Sequence, residues 1–130
     1  MTRKISTRTT WEPVVGYSRA VAAGDFVFVS GCTSVAGGAF VHEGDARAQT
    51  AQAIANVAEA LERLGASLAD VVRTRMYVTD ISRWEEYGLA HGTAFGDAMP
   101  ATSMVGIAAL VDPRMLVEVE AVAYKPGVGG

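Results

Sequence analysis

Apolar and polar residues alternate along the first part of this chain, shift to a helical period, and then alternate again. YSRAVAAGDFVFVSG, residues 17–31, reads as two short strands joined at Gly24-Asp25, a dipeptide suited to a tight turn. After a Gly-rich bend at Gly37-Gly38, a brief strand is expected near Phe40-Val41. In DARAQTAQAIANVAEALERLG the period changes. Ile54, Val57, Ala58, Leu61 and Leu64 fall at i, i+3, i+4, i+7 and i+10, and Gly65 supplies a C-terminal stop.

The period returns to two in VVRTRMYVTD, where Val72, Thr74, Met76 and Val78 are expected to face one way and Arg73, Arg75 and Tyr77 the other. Ser82 and Glu85 have the S-x-x-E spacing of a capping box and predict the start of a second helix. Along that helix Trp84, Tyr87, His91 and Phe95 share a stripe, which reads first as packing. Two more strands are expected over about 103–110 and 116–124, with Asp112-Pro113 in their connection. The predicted order is ββ(β)αβαββ: one α+β domain over residues 1–130, with two helices packed on one face of a mixed sheet. On the last strand Val117, Val119, Ala121 and Ala123 suit the helix side. Leu116, Glu118, Glu120, Val122 and Tyr124 share the opposite face, a mixture that suits a second subunit better than water, so a homo-oligomer is expected.

Composition narrows the function classes. A chain of 130 residues fits one domain with a real core. Half of it is hydrophobic and 19% charged, and the net charge of -3 argues against a nucleic-acid partner held through phosphate neutralisation. Arg3, Lys4 and Arg8 make the N-terminus basic, but no apolar region follows to complete a secretory signal. The longest apolar stretch, about 104–111, is too short to cross a bilayer, so no membrane partner is expected. Cys32 is the one cysteine, which excludes an intrachain disulfide; with only His42 and His91 besides, a metal centre lacks a ligand set. The expectation is a cytoplasmic domain without metal or cofactor.

The stretches VGYSRAV, FVFVSG, ADVVRTRMYVTD, FGDAMPATSMVGIAALVDP and MLVEVEAVA occur in the order and spacing of the RidA/YjgF family, which the chain resembles over nearly its whole length. The best markers are the SG ending the second strand, the P-A-x-S turn at 100–103 and the V-E-V-E-A strand at 117–121. The resemblance implies a chorismate-mutase-like α+β fold and a homotrimer whose sheets form a central barrel with three clefts between subunits. Its best-known members hydrolyse reactive 2-imino acids, or their enamine tautomers, to 2-keto acids and ammonia without a cofactor. Older names call the family endoribonucleases or translation inhibitors.

Carried onto this chain, the resemblance implies both retained and altered cleft positions. In deaminating members the x of P-A-x-S is an arginine that holds the substrate carboxylate in a forked pair. Here it is Thr102. Losing such a pair forfeits about 1.5–3 kcal/mol of hydrogen bonding to a charged group. A second cleft position, commonly cysteine, is Met104, and a helical asparagine falls on Gly88. These three departures place the chain outside the archetypal deaminase subgroup, with weak or no activity expected on ordinary 2-imino acids. Tyr17, Ser30, Gly31 and Glu118 align with cleft positions of active members. Glu118 is the candidate to orient water and exchange its proton, and the Tyr17 hydroxyl to support developing polarity. Ser30, Gly31, Gly88, Thr102, Ser103 and Met104 are the candidate ligand contacts, with Trp84 as an aromatic wall.

Plainer readings stand beside these. Glu118 could pair with Arg73 or Arg75 across strands, and an ion pair is the first reading of Glu120. Tyr17 could cap a strand, Ser30-Gly31 could be a turn, Cys32 suits the core, and His91 suits a satisfied helix-face histidine. Arg19, Arg75 or Arg114 could replace the missing anchor. The leading expectation is a trimer that binds a small metabolite between subunits and hydrolyses an imine, enamine or related labile bond. A ligand-binding or sensing module without turnover is the alternative, and a ribonuclease or translation inhibitor is the weakest of the three.

Overall fold

Six of the strands join one mixed sheet, and the reason two helices cover only one face of it is visible in the strand parity. The computed structural model describes residues 2–130. In chain order the elements are β1 (Thr2–Ile5), α1 (Trp11–Val15), β2 (Ala20–Ala23), β3 (Phe26–Cys32), β4 (Val35–Ala36), β5 (Ala39–Phe40), α2 (Ala46–Arg63), β6 (Val71–Val78), α3 (Trp84–Phe95), β7 (Ala101–Gly106) and β8 (Val117–Tyr124). The sheet order is β1-β2-β3-β8-β6-β7, while β4 and β5 form a small hairpin of their own. Every neighbouring pair in the large sheet is antiparallel except β6-β7, which is parallel. Among the described residues no helix is long and apolar enough to cross a membrane.

On β8 the inward residues Val117, Val119, Ala121 and Ala123 are buried, as the alternation predicts, together with Val27 and Val29 of β3. Against them α2 buries Ile54, Val57 and Leu61, and Leu64 follows at its end. Each fully buried aliphatic side chain of this size contributes about 1.5–3 kcal/mol. Asp45 caps α2 by accepting from the Ala48 N–H at 3.0 Å, and Gly65 ends it in the left-handed region at φ 90°. The β2-β3 hairpin turns at Gly24-Asp25, flanked by the Ala23–Phe26 pair.

Several expectations shift. Val72 is exposed, because a register shift between Val71 and Arg73 lets Val71 take the buried place. The Ser82/Glu85 box does not form; Asp80 instead accepts from the Ser82 N–H and hydroxyl and opens a short 3-10 turn at Ile81–Arg83 that leads into α3. Trp84 leaves the stripe and is exposed, while Tyr87 and Phe95 are buried. β7 starts and ends earlier than expected, Leu116 precedes β8 and packs partly against the core, and β1 and α1 were not anticipated.

Candidate functional site

Several elements converge where β3 loses its register against β8, between Val29 and Cys32. The irregularity turns the Ser30–Gly31 backbone toward a cavity of about 1160 Å³. Its walls come from the 7–11 segment, Tyr17, Arg19, the end of β3, the β4-β5 hairpin, one side of α2, and the 111–115 loop. Gln49, fully buried on α2, holds that last loop in place: its side-chain amide donates to the carbonyls of His42 and Arg114 and accepts from the Leu116 N–H.

The N-terminal wall is organised by a buried carboxylate. Glu12 accepts hydrogen bonds from the hydroxyls of Ser6, Thr7 and Thr9 at 2.7, 2.8 and 3.0 Å. Burial alone would raise its pKa, but these donors outweigh it and hold the group at about 2. Gly16, left-handed at φ 87°, then ends α1 and delivers Tyr17 to the cavity.

Gly31 is the position where close approach requires glycine. A Cβ placed there would lie 2.5 Å from Glu118 Cδ and 2.6 Å from its Oε2, so the carboxylate of β8 rests directly on the Gly31 backbone. Half-buried Glu118 has no hydrogen-bond partner and no ion pair among the described residues. Burial pushes its pKa up; the charge of Arg19 opposes the rise and that of Glu120 adds to it. Arg19 is buried beneath the same backbone, donating from Nη1 to the carbonyls of Ser30 and Gly31 at 3.2 and 2.6 Å. Its Nη2 reaches the Tyr17 hydroxyl at 3.4 Å. Ser30 donates its hydroxyl to the Ser18 carbonyl at 2.7 Å, a structural bond that fixes the end of β3. Cys32 is buried, and burial raises its pKa, which suits the core role.

Tyr17, Ser30, Gly31 and Glu118 therefore meet in one place. The remaining candidates lie elsewhere in the protomer. Thr102 and Met104 point from the edge strand β7 toward the helix side. The Thr102 hydroxyl lies 2.7 Å from that of Thr74, which lies 2.8 Å from His91 Nε2. His91 is thus satisfied, and burial lowers its pKa. Met104 packs partly against the core. Gly88, in the middle of α3, has open space where a side chain would be, and Trp84 stands exposed one turn earlier. Ser103 is on the Glu118 face but two strands away, accepting from Arg73 Nη2 at 2.8 Å.

The expected ion pairs on that outer face are absent among the described residues. Glu120 accepts from the Tyr77 hydroxyl instead, and this bond raises the Tyr77 pKa. Arg75 stands opposite Glu120 in register but no ion pair joins them. Nor do the described residues contain a group of three or more His, Cys, Asp or Glu side chains able to hold a metal ion. The sequence offers Arg19 only as one of three cations, and its parity with Val21 and Ala23 assigns it to the outer face, whereas in the structure it is buried.

The profile of the family described as Endoribonuclease L-PSP matches residues 7–125. Rv2704 of Mycobacterium tuberculosis, described as a member of the YjgF/YER057c/UK114 family, is 48% identical, with a TM-score of 0.87 over 95% of this chain and 99% of that one. An uncharacterised Streptomyces coelicolor protein is 35% identical over 97% of this chain and 94% of its own length. A RutC family protein of Pyrococcus abyssi is 36% identical over 93% of this chain and 95% of its own.

Proposed function

The chain belongs to the endoribonuclease L-PSP family, among YjgF/RidA-type relatives, and from that premise we propose that it binds a small carbonyl-type metabolite and hydrolyses an imine, enamine or related labile bond. The observation that carries this reading is the unpartnered, half-buried Glu118 carboxylate resting on Gly31, in a cavity that it shares with the Tyr17 hydroxyl. The reading includes a homotrimer, with the β7 edge of one subunit facing the cavity of the next, and the cytoplasm as the place of work, where a lone thiol stays reduced.

The chemistry asked of the site is small. Water adds to the imine carbon, forming the C–O bond as its proton passes to Glu118 and the C=N electron pair moves to nitrogen. Glu118 returns that proton to nitrogen, giving the carbinolamine; it then takes the hydroxyl proton and passes it to the amine, so that the C–N bond breaks, the carbonyl forms and ammonia leaves. A carboxyl with a raised pKa is suited to both directions of exchange, and the Tyr17 hydroxyl can donate to the polarising centre. The absence of a cation at Thr102 supports slower turnover of ordinary 2-imino acids than arginine-bearing relatives give. A small-molecule cavity and a net charge of -3 favour this reading over RNA cleavage.

The test is turnover of imines generated in situ by an amino-acid oxidase, run beside thermal-shift measurements with keto acids and neutral carbonyl compounds. Glu118→Gln should lower turnover by about 10²–10⁴-fold, the range of a lost acid–base group, with the fold retained. Gly31→Ala should lower it as well, since its Cβ must displace the carboxylate. Thermal shifts without any turnover in the wild type would instead establish a binding module.

A further inference from the structure

We propose that Arg19 is the anion anchor of this cavity, pairing with the carboxylate of a small ligand through its Nε–Nη2 edge. The inference rests on the reading of the cavity as the ligand site. Of the three arginines available to replace a cation at Thr102, Arg114 is already engaged: it grips Asp112 with Nε and Nη2 at 3.1 and 2.8 Å and lies 4.7 Å over the Phe40 ring. Arg75 is on the outer sheet face, opposite Glu120 and Ser103, and does not line the cavity. Arg19 does line it.

The environment of Arg19 is incomplete in a way that favours an anion. The residue is only 7% exposed, yet no carboxylate lies within ion-pair distance. A buried charge without a counter-charge is expensive, and carbonyl dipoles offset only part of the cost. Its donors divide unevenly. Nη1 is taken by the Ser30 and Gly31 carbonyls, and it also touches Cys32 Sγ at 3.5 Å. Nη2 makes one long bond to Tyr17, whose ring centroid is 5.6 Å from the guanidinium carbon. The second Nη2 hydrogen and the Nε–H have no partner among the described residues. These two nitrogens share one edge of the planar group, the edge that takes a carboxylate bidentately.

The anchor also sits at the right place for the chemistry. Gly31 separates Arg19 from Glu118: its carbonyl accepts from Nη1 at 2.6 Å, while the Glu118 carboxylate rests against its Cα. Nη2 already touches the Tyr17 hydroxyl, so an anion on the Nε–Nη2 edge would lie beside it, in the cavity that Glu118 also lines. Because Nη1 is fully committed to the backbone, this anchor is weaker than an arginine free to close around its ligand. Slow turnover of 2-imino acids therefore persists through Arg19 rather than vanishing.

The experiment is calorimetric titration of the full chain with pyruvate and with its neutral analogue 2-oxopropanamide. The wild type should bind pyruvate about tenfold more tightly than the amide, the effect of one charge-assisted pair. Arg19→Gln should remove most of that tenfold preference while leaving amide binding within about twofold, and Arg19→Lys should keep part of it. If both probes bind the wild type equally, or Arg19→Gln weakens both alike, Arg19 is not the anchor although the cavity stands as a site. If neither probe binds the wild type, the reading of the cavity fails and this proposal with it. Should Arg19→Gln not fold, the Arg19 Nε resonance of the wild type decides: it should move with pyruvate and not with the amide, and no movement overturns the proposal.

Discussion

At Gly31 a single missing Cβ determines where the Glu118 carboxylate rests, and at Thr102 a single short side chain determines which charge the β7 edge can offer. Thr102 is exposed and tied to Thr74, so a longer side chain at that position has room to leave the sheet. Thr102→Arg should raise affinity for small 2-keto acids by up to about 1.5–3 kcal/mol if a forked pair forms. Turnover should rise less, since holding a ground-state carboxylate does not by itself stabilise the transition state. Titration of wild type against variant is the check; a correctly assembled variant that binds no better would remove Thr102 from the ligand site. The family resemblance, and not the alternation, groups Tyr17, Ser30, Gly31 and Glu118, and all four line one cavity. Neither could reveal Arg19, whose burial depends on the β3 irregularity and on two carbonyls that no side-chain pattern encodes. Nor could they show that Glu120 takes Tyr77 in place of an arginine, since both partners lie on the same outer face.

Elements differ in how far their ends can be read. α2 was legible throughout, since eighteen residues of consistent period leave little choice. The start of α3 was not, because two capping signals compete within six residues. Ser82-x-x-Glu85 has the spacing of a capping box, but Asp80 reaches the Ser82 N–H first at 3.1 Å and also takes the Ser82 hydroxyl. A carboxylate at the positive end of a turn also interacts favourably with its dipole, which favours Asp80 further. Asp80→Ala should therefore lower stability by about 0.5–2 kcal/mol, the usual range for a lost cap, and Ser82→Ala by clearly less. Urea denaturation of the two variants measures this; a larger loss from Ser82→Ala would show that the serine cap governs α3 in solution. β1 and α1 were missed for a related reason. Four and five residues carry too little periodicity, and α1 is held by the hydrogen bonds of Glu12 more than by an apolar face. Val72 was misplaced because a bulge reverses parity without leaving a mark in the alternation.

At the scale of the molecule, two features remain unexplained by one protomer. The sheet face opposite the helices carries Phe26, Phe28 and Tyr124 at 40, 48 and 46% exposure, clustered with ring centroids 6.2 and 5.3 Å apart. Aromatic residues gathered on an uncovered sheet face indicate a surface that another chain covers. The second feature is the division of the candidate site: Tyr17, Gly31 and Glu118 line the cavity, whereas Thr102 and Met104 stand on the edge strand β7 and Gly88 on α3. A neighbouring subunit that brings its own β7 edge to this cavity resolves both, which is the arrangement of the proposed trimer. Light scattering at micromolar concentration should give three protomer masses. Phe28→Glu, at the most exposed ring of the aromatic face and away from the cavity, should release monomers that keep their helical circular dichroism. If the ligand site is completed between subunits, those monomers should also lose keto-acid binding even though every cavity residue is intact. Monomers that bind as well as the wild type would make the protomer cavity sufficient, leaving Gly88, Thr102 and Met104 without a part in recognition.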